Sequence, residues 1–290
     1  MEIQWPLVIF TLFVCLGAGI FAMQGLLTVL GKGEKSQISA VIAAAAAVIV
    51  GGVASFLHLQ HWDRAFNGFG QLSSGITQEL ISIVVLFIVL IIYFAVARKG
   101  LAPKWAGALA IFIGVSVVAL MTTSYIMPAR PVWASPLLYL FYFSQAFAAG
   151  AAGVWLLSSL SKEADAASLM VKCTAIGGAL VTVSLLAYAA YIGTINVGSV
   201  GNYWDSTIPT ASLIDNSNLV GKLLGGEFAL PFWLALIFGG IAPAILAFLK
   251  WKGEHINIPF ASLSIVCILV GGIAFRAVLY MLGFSVFALF

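Results

Sequence analysis

The stretch QELISIVVLFIVLIIYFAVA, residues 78–97, decides the fold. It opens with one carboxylate, Glu79, and then runs to Ala97 without another charge. A helix of about 20 apolar residues spans the hydrocarbon core of a bilayer, whereas a buried strand ends after about 4–8. Seven more stretches share its length and character. With it they are Pro6–Leu30, Ile38–Leu59, Gln78–Ala97, Lys104–Met127, Pro136–Leu160, Leu169–Gly193, Phe228–Lys250 and Pro259–Phe284. They predict an all-α, polytopic membrane protein of eight transmembrane helices, one domain over residues 1–290. Prolines 6, 128, 131, 136 and 259 punctuate the span ends, as a residue without an N–H should. Pro243 falls inside span seven and should kink it.

Composition supports the same class. The chain is 62% hydrophobic and 8% charged, with a mean hydropathy of +1.12. A soluble domain carries roughly 25% charge. The net charge of +3 comes without any basic cluster, so nucleic acid is not an expected partner. The first span lacks a basic leader and reads as retained. Cys15, Cys173 and Cys267 each sit in an apolar run. Their spacing offers no zinc or iron–sulfur site, and they read as small buried apolar residues.

Loop charges give an orientation. The odd-numbered connections carry Lys32, Lys35, Arg98, Lys99, Lys104, Lys162, Lys172, Lys250 and Lys252; the even ones carry Arg64, Arg130 and Lys222. The excess predicts that the odd connections are cytoplasmic and that both termini face outward. All eight tryptophans fall near span ends or in connectors, as an interfacial belt requires. The sixth connection, 194–227, is long and outward-facing, and is expected to form a folded cap or docking surface.

Ionisable groups in or beside such spans are costly and mark function. Span two ends in His58, and His61, Asp63 and Arg64 follow it; span three opens at Glu79. A short connector makes these spans antiparallel neighbours, so His58 and Glu79 can meet at the outer face. An imidazole beside a carboxyl group suits proton transfer near neutral pH. The plainer reading makes the histidines interfacial caps and Glu79 a helix N-terminal acid. Asp63 and Arg64 by themselves read as a surface pair. Arg276 lies inside span eight, one turn before Tyr280 on the same face. It needs a partner or a water-filled cavity, and Glu79 is one partner it could take. Gln24, Tyr125 and Gln145 are further polar residues that each read as helix–helix hydrogen bonders. There are three histidines. His58 and His61 share one segment and His255 belongs to the opposite face, so no pair can clamp a haem.

The sequence resembles a known family at particular places. Glu2 with Trp5-Pro6-Leu7-Val8-Ile9-Phe10-Thr11 is similar to the start of the DmsC-type membrane anchors of dimethyl sulfoxide reductase. So are Leu57-His58-Leu59, Arg64-Ala65-Phe66-Asn67, Glu79, and Arg276 with Tyr280. Residues 60–63 depart from the family's pattern and add a second imidazole, His61. Gly272 stands where some relatives carry an acid.

The resemblance implies a function. Such anchors sit in the inner membrane, oxidise menaquinol, and pass electrons to an iron–sulfur subunit on the outer, periplasmic face. That subunit feeds a molybdenum bis-pterin (molybdopterin) catalytic subunit in anaerobic respiration. By motif, His58 and Glu79 correspond to the quinol site, with His61, Arg64, Arg276 and Tyr280 binding or supporting. The chain would carry the quinol-oxidation site and no metal of its own, leaving reduction of the terminal acceptor to the partner. Two other classes fit eight spans: a proton-coupled secondary transporter and a purely structural anchor. The transporter reading lacks a proline break matching Pro243 in the first half, and its ionisable groups avoid the midplane.

Overall fold

A computed structural model describes residues 3–58, 70–195, 218–253 and 255–283. Among them are ten α-helices and no strand. In order they are α1 (Trp5–Val29), α2 (Gln37–His58), α3 (Gly75–Ala97), α4 (Lys104–Tyr125), α5 (Leu137–Leu160) and α6 (Ala164–Thr194). Then come α7 (Leu219–Leu224), α8 (Ala229–Leu236), a π turn (Ile237–Ile241), α9 (Ala242–Phe248) and α10 (Ile258–Leu282). Eight helical stretches are long and apolar enough to cross a membrane, with α8, the π turn and α9 forming the seventh. His61, Asp63, Arg64, Trp62, Trp204 and most of the sixth connection lie outside the described residues. His58 closes α2, and its side chain is likewise outside them.

Helix α1 is the hub, packed against α2, α4, α5 and α10. Hydrocarbon lipid gives helices no hydrophobic reason to associate, so close backbone approach must do the work. Small residues allow it on several sides. Gly19 meets the backbone of Ala146 and Gly150 on α5. A Cβ on Gly25 would lie 2.6 Å from the carbonyl of Gly107 on α4. Neither crossing admits a side chain.

The break at Pro243 takes the form of the π turn. Pro243 cannot donate to the carbonyl four residues back, at Gly239, and its ring crowds that carbonyl. Widening the preceding turn relieves both problems. The same turn places Gly239 against Gly271 of α10 and Gly240 against Thr182 of α6.

Two findings adjust the sequence reading. Helix α6 starts at Ala164, well before Leu169. The tryptophans also divide. Trp5, Trp105 and Trp233 are exposed, as a lipid-interface belt requires. Trp133 and Trp155 instead face the bundle, and their indole N–H groups donate to Leu279 O at 2.8 Å and His255 O at 2.7 Å. Depth was legible from their position in each span, but facing was not. At the end of the sixth connection, α7 folds back with Leu219 and Leu223 buried, and Trp233 donates to Leu224 O at 2.9 Å.

The odd connections meet one another at one end of the bundle. Lys35 and Ser36 bond Glu163, and Gln37 bonds Ala97, Gly100 and Ala102. The even connections gather at the other end, where the hydroxyls of Tyr188 and Tyr191 donate to Val132 O and Pro131 O at 2.8 Å each. That second end holds the candidate site.

Candidate functional site

Glu79 stands one turn inside α3, next to the crossing of α3 and α4. Gly75 makes that crossing tight, since a Cβ there would lie 3.3 Å from Ser124. Glu79 is 8% exposed. Its Oε1 accepts one hydrogen bond, 2.8 Å from Ser124 Oγ. The Ser82 hydroxyl, one turn on, donates to the Glu79 backbone carbonyl at 2.7 Å. A carboxylate offers about four acceptor sites, and a buried one is costly when few are filled. Among the described residues no cation lies within ion-pair distance of it; the one ion pair there joins Lys222 to Glu227.

Arg276 is 1% exposed, on α10. Its Nε donates to Thr11 Oγ1 at 2.7 Å, and its Nη1 to Gln145 Oε1 at 2.6 Å and Gly272 O at 3.1 Å. Nη2 reaches Thr11 O at 3.4 Å. The guanidinium carbon lies 4.8 Å from the Tyr142 ring centroid, a cation–π contact. The pairing of Arg276 with Glu79 allowed by the sequence is therefore not made. The arginine's fork is instead shared among neutral acceptors on α1, α5 and its own helix, which suits a planar guanidinium with five fixed donors.

Between these two charges lies a tyrosine cluster. Tyr125 stacks on Tyr142, with centroids 6.2 Å apart, and leans on Trp133 at 5.8 Å. Trp133 meets Tyr280 edge-on at 5.5 Å. Among the described residues the buried Tyr280 hydroxyl, which faces the Tyr125 hydroxyl, and Gln145 Nε2 make no hydrogen bond of good geometry. Nearby, Cys15 Sγ lies 3.6 Å from Met121 Sδ. Buried polar groups nearly always find partners, so these two groups beside a buried cation leave bonding capacity unused among the described residues.

The sequence-predicted residues thus separate. Glu79 sits at the α3–α4 seam, and Arg276 and Tyr280 are in the tyrosine cluster beside it; His58, His61 and Arg64 have no described side chains. Gln145 does bond between helices, but to a buried cation. Gln24 makes a plain structural bond, to Gly33 O at 3.0 Å. Sequence reasoning passed over Ser124, Tyr142 and the role of Thr11. Serines and threonines in spans commonly bond their own helix, as Ser116 does to Phe112 O at 2.8 Å. Nothing local marks Ser124 as different.

No group of three or more His, Cys, Asp or Glu that could hold a metal ion occurs among the described residues. No curated protein matches the chain. One family model does, over residues 1–282: on that match the chain, with its eight candidate spans, belongs to the DMSO reductase anchor subunit (DmsC) family.

Proposed function

We propose that this chain is the quinol-oxidising membrane anchor of a reductase complex of dimethyl sulfoxide reductase type. A menaquinol headgroup enters from the bilayer at the even-connection end. His58 accepts a proton from one hydroxyl and Glu79 takes or relays the other. Arg64, His61, Arg276 and Tyr280 orient and polarise the ring oxygens. The quinol loses two protons and two electrons and leaves as quinone. The electrons pass to an iron–sulfur subunit and on to a molybdenum bis-pterin subunit, both on the outer, periplasmic face of the inner membrane. The odd connections and their basic residues face the cytoplasm, and both termini face outward. Protons and electrons leave on the same side, so this half-reaction moves no net charge across the membrane.

The observation that carries the reading is Glu79: a buried carboxylate held, among the described residues, by one neutral hydroxyl at the α3–α4 seam. A general acid or base needs such an unfilled bonding capacity within reach of its substrate. The decisive experiment measures quinol-dependent turnover in membranes holding the assembled complex with His58→Ala. Assembly without turnover supports the assignment. Normal turnover would reduce the chain to a structural anchor.

A further inference from the structure

Helices α3 and α4 cross tightly at Gly75 and Ser124, then part toward the bilayer centre. The gap is a groove of about 260 Å³ on the lipid face. Ile81 and Val85 form one wall, Ile113 and Leu120 the other. Its outer end is Gln78, beside Glu79; Ser124 stands one turn beyond Leu120 on α4, and its hydroxyl donates to the Glu79 carboxylate. The groove therefore ends at Gln78 and Ser82, the residues next to the proposed proton acceptor on α3, while the Glu79 side chain itself is buried behind them and not in the lining.

Its chemistry selects the occupant. The two serines in its lining have hydroxyls already bonded within their own helices, Ser82 to Glu79 O at 2.7 Å and Ser116 to Phe112 O at 2.8 Å. The length of the groove below Gln78 thus offers hydrocarbon contact and no free polar group. The volume falls under the ~300–1,000 Å³ typical of pockets that enclose a whole ligand. It suits a length of chain. A larger apolar groove of about 310 Å³ lies between α4 and α5 over α1, but none of its lining residues is on α3, the helix that carries Glu79.

We propose that the α3–α4 groove seats the isoprenoid tail of the quinol, with the headgroup at Glu79. This rests on the quinol reading above and adds the path of the tail. Since the tail is in hydrocarbon whether seated or not, the groove contributes packing and direction, with no hydrophobic gain. The effect of blocking it is accordingly modest.

The test fills the groove with Val85→Phe and, separately, Ser116→Phe, in membranes holding the assembled complex. KM for a long-tailed quinol should rise about three- to ten-fold, while kcat/KM for a tail-free quinol stays unchanged. Val115→Phe, in the other groove, should change neither. Equal loss with both quinols, or no loss with either, overturns the proposal while leaving the quinol reading intact. If the wild-type complex oxidises no quinol, that reading falls first and this one with it. Should the filled variants fail to assemble, a quinol with a photoreactive tail decides on the unmodified complex. It should label α3 and α4 at 81–85 and 112–120. Labelling elsewhere, or equal labelling by a phospholipid with the same photoreactive group that quinol does not displace, overturns the assignment.

Discussion

The two ends of the bundle treat their polar side chains in opposite ways. At the odd-connection end, Glu163 accepts from Lys35 N and Ser36 N at 3.1 Å each and from Ser36 Oγ at 3.0 Å, capping α2 from across the fold. Gln37 donates to Ala97 O at 3.1 Å and Gly100 O at 2.7 Å and accepts from Ala102 N at 3.1 Å. These side chains are spent on backbone groups of the connections and of the adjoining helix ends. At the even-connection end, among the described residues, the Glu79 carboxylate has one hydroxyl partner, Gln145 Nε2 has none, and the Tyr280 hydroxyl meets the Tyr125 hydroxyl without a hydrogen bond of good geometry. The contrast is between side chains spent on connecting backbone and a cluster around Glu79 with capacity to spare; the unpartnered Ser264 Oγ in the first turns of α10 shows that spare capacity alone does not mark chemistry.

The sharpest way to break this contrast is Glu79→Gln. The amide keeps the size and the hydrogen-bonding reach of the carboxylate but cannot take a proton at neutral pH. Quinol turnover per assembled complex should fall about 10²-fold or more, the usual weight of a positioned acid or base. Arg276→Met comes next. It leaves Gln145 Oε1 and Thr11 Oγ1 without their charged donor, and hydrogen bonds to a charged group contribute about 1.5–3 kcal/mol each. Removing the buried charge also removes its desolvation cost, so the net loss should be about 2 kcal/mol. A lower thermal unfolding midpoint in detergent reads this out. Arg276→Lys should lose part of the same stability, because an ammonium cannot reproduce the fork.

The opposite end should give smaller effects of a different kind. Glu163→Gln weakens a capping contact worth about 1 kcal/mol. It should lower the unfolding midpoint and leave turnover per assembled complex unchanged. Gln37→Ala should cost about 1 kcal/mol through its lost backbone bonds, again without a kinetic change. A turnover defect in either variant, with assembly intact, would erase the distinction between the two ends.

How much of this was legible beforehand follows from what each signal encodes. Hydropathy and the prolines placed eight spans, because crossing a bilayer fixes length and apolarity. Pro259 and Pro6 open their helices as expected. Pro243 announced a break, but the π turn depends on neighbours on α6 and α10. Facing was hidden throughout. A membrane helix is apolar on both its lipid side and its protein side, so the periodic signal that tells core from surface in water is weak. That is why Trp133 and Trp155 read as belt residues. Arg276 was conspicuous as a charge, yet Thr11 and Gln145 lie 265 and 131 residues away in the chain. Pairings at that separation are tertiary facts. Glu79 was legible as a costly group, whereas Ser124 looked like any other serine in a span.

The most direct measurement is a titration of the assembled complex with a fluorescent quinone analogue, run on the wild type, Glu79→Gln and Glu163→Gln together. The account predicts saturable binding to the wild type that menaquinol displaces, at least ten-fold weaker binding to Glu79→Gln, and wild-type binding to Glu163→Gln. Equal affinity in the wild type and Glu79→Gln, or no saturable binding at all, would contradict it.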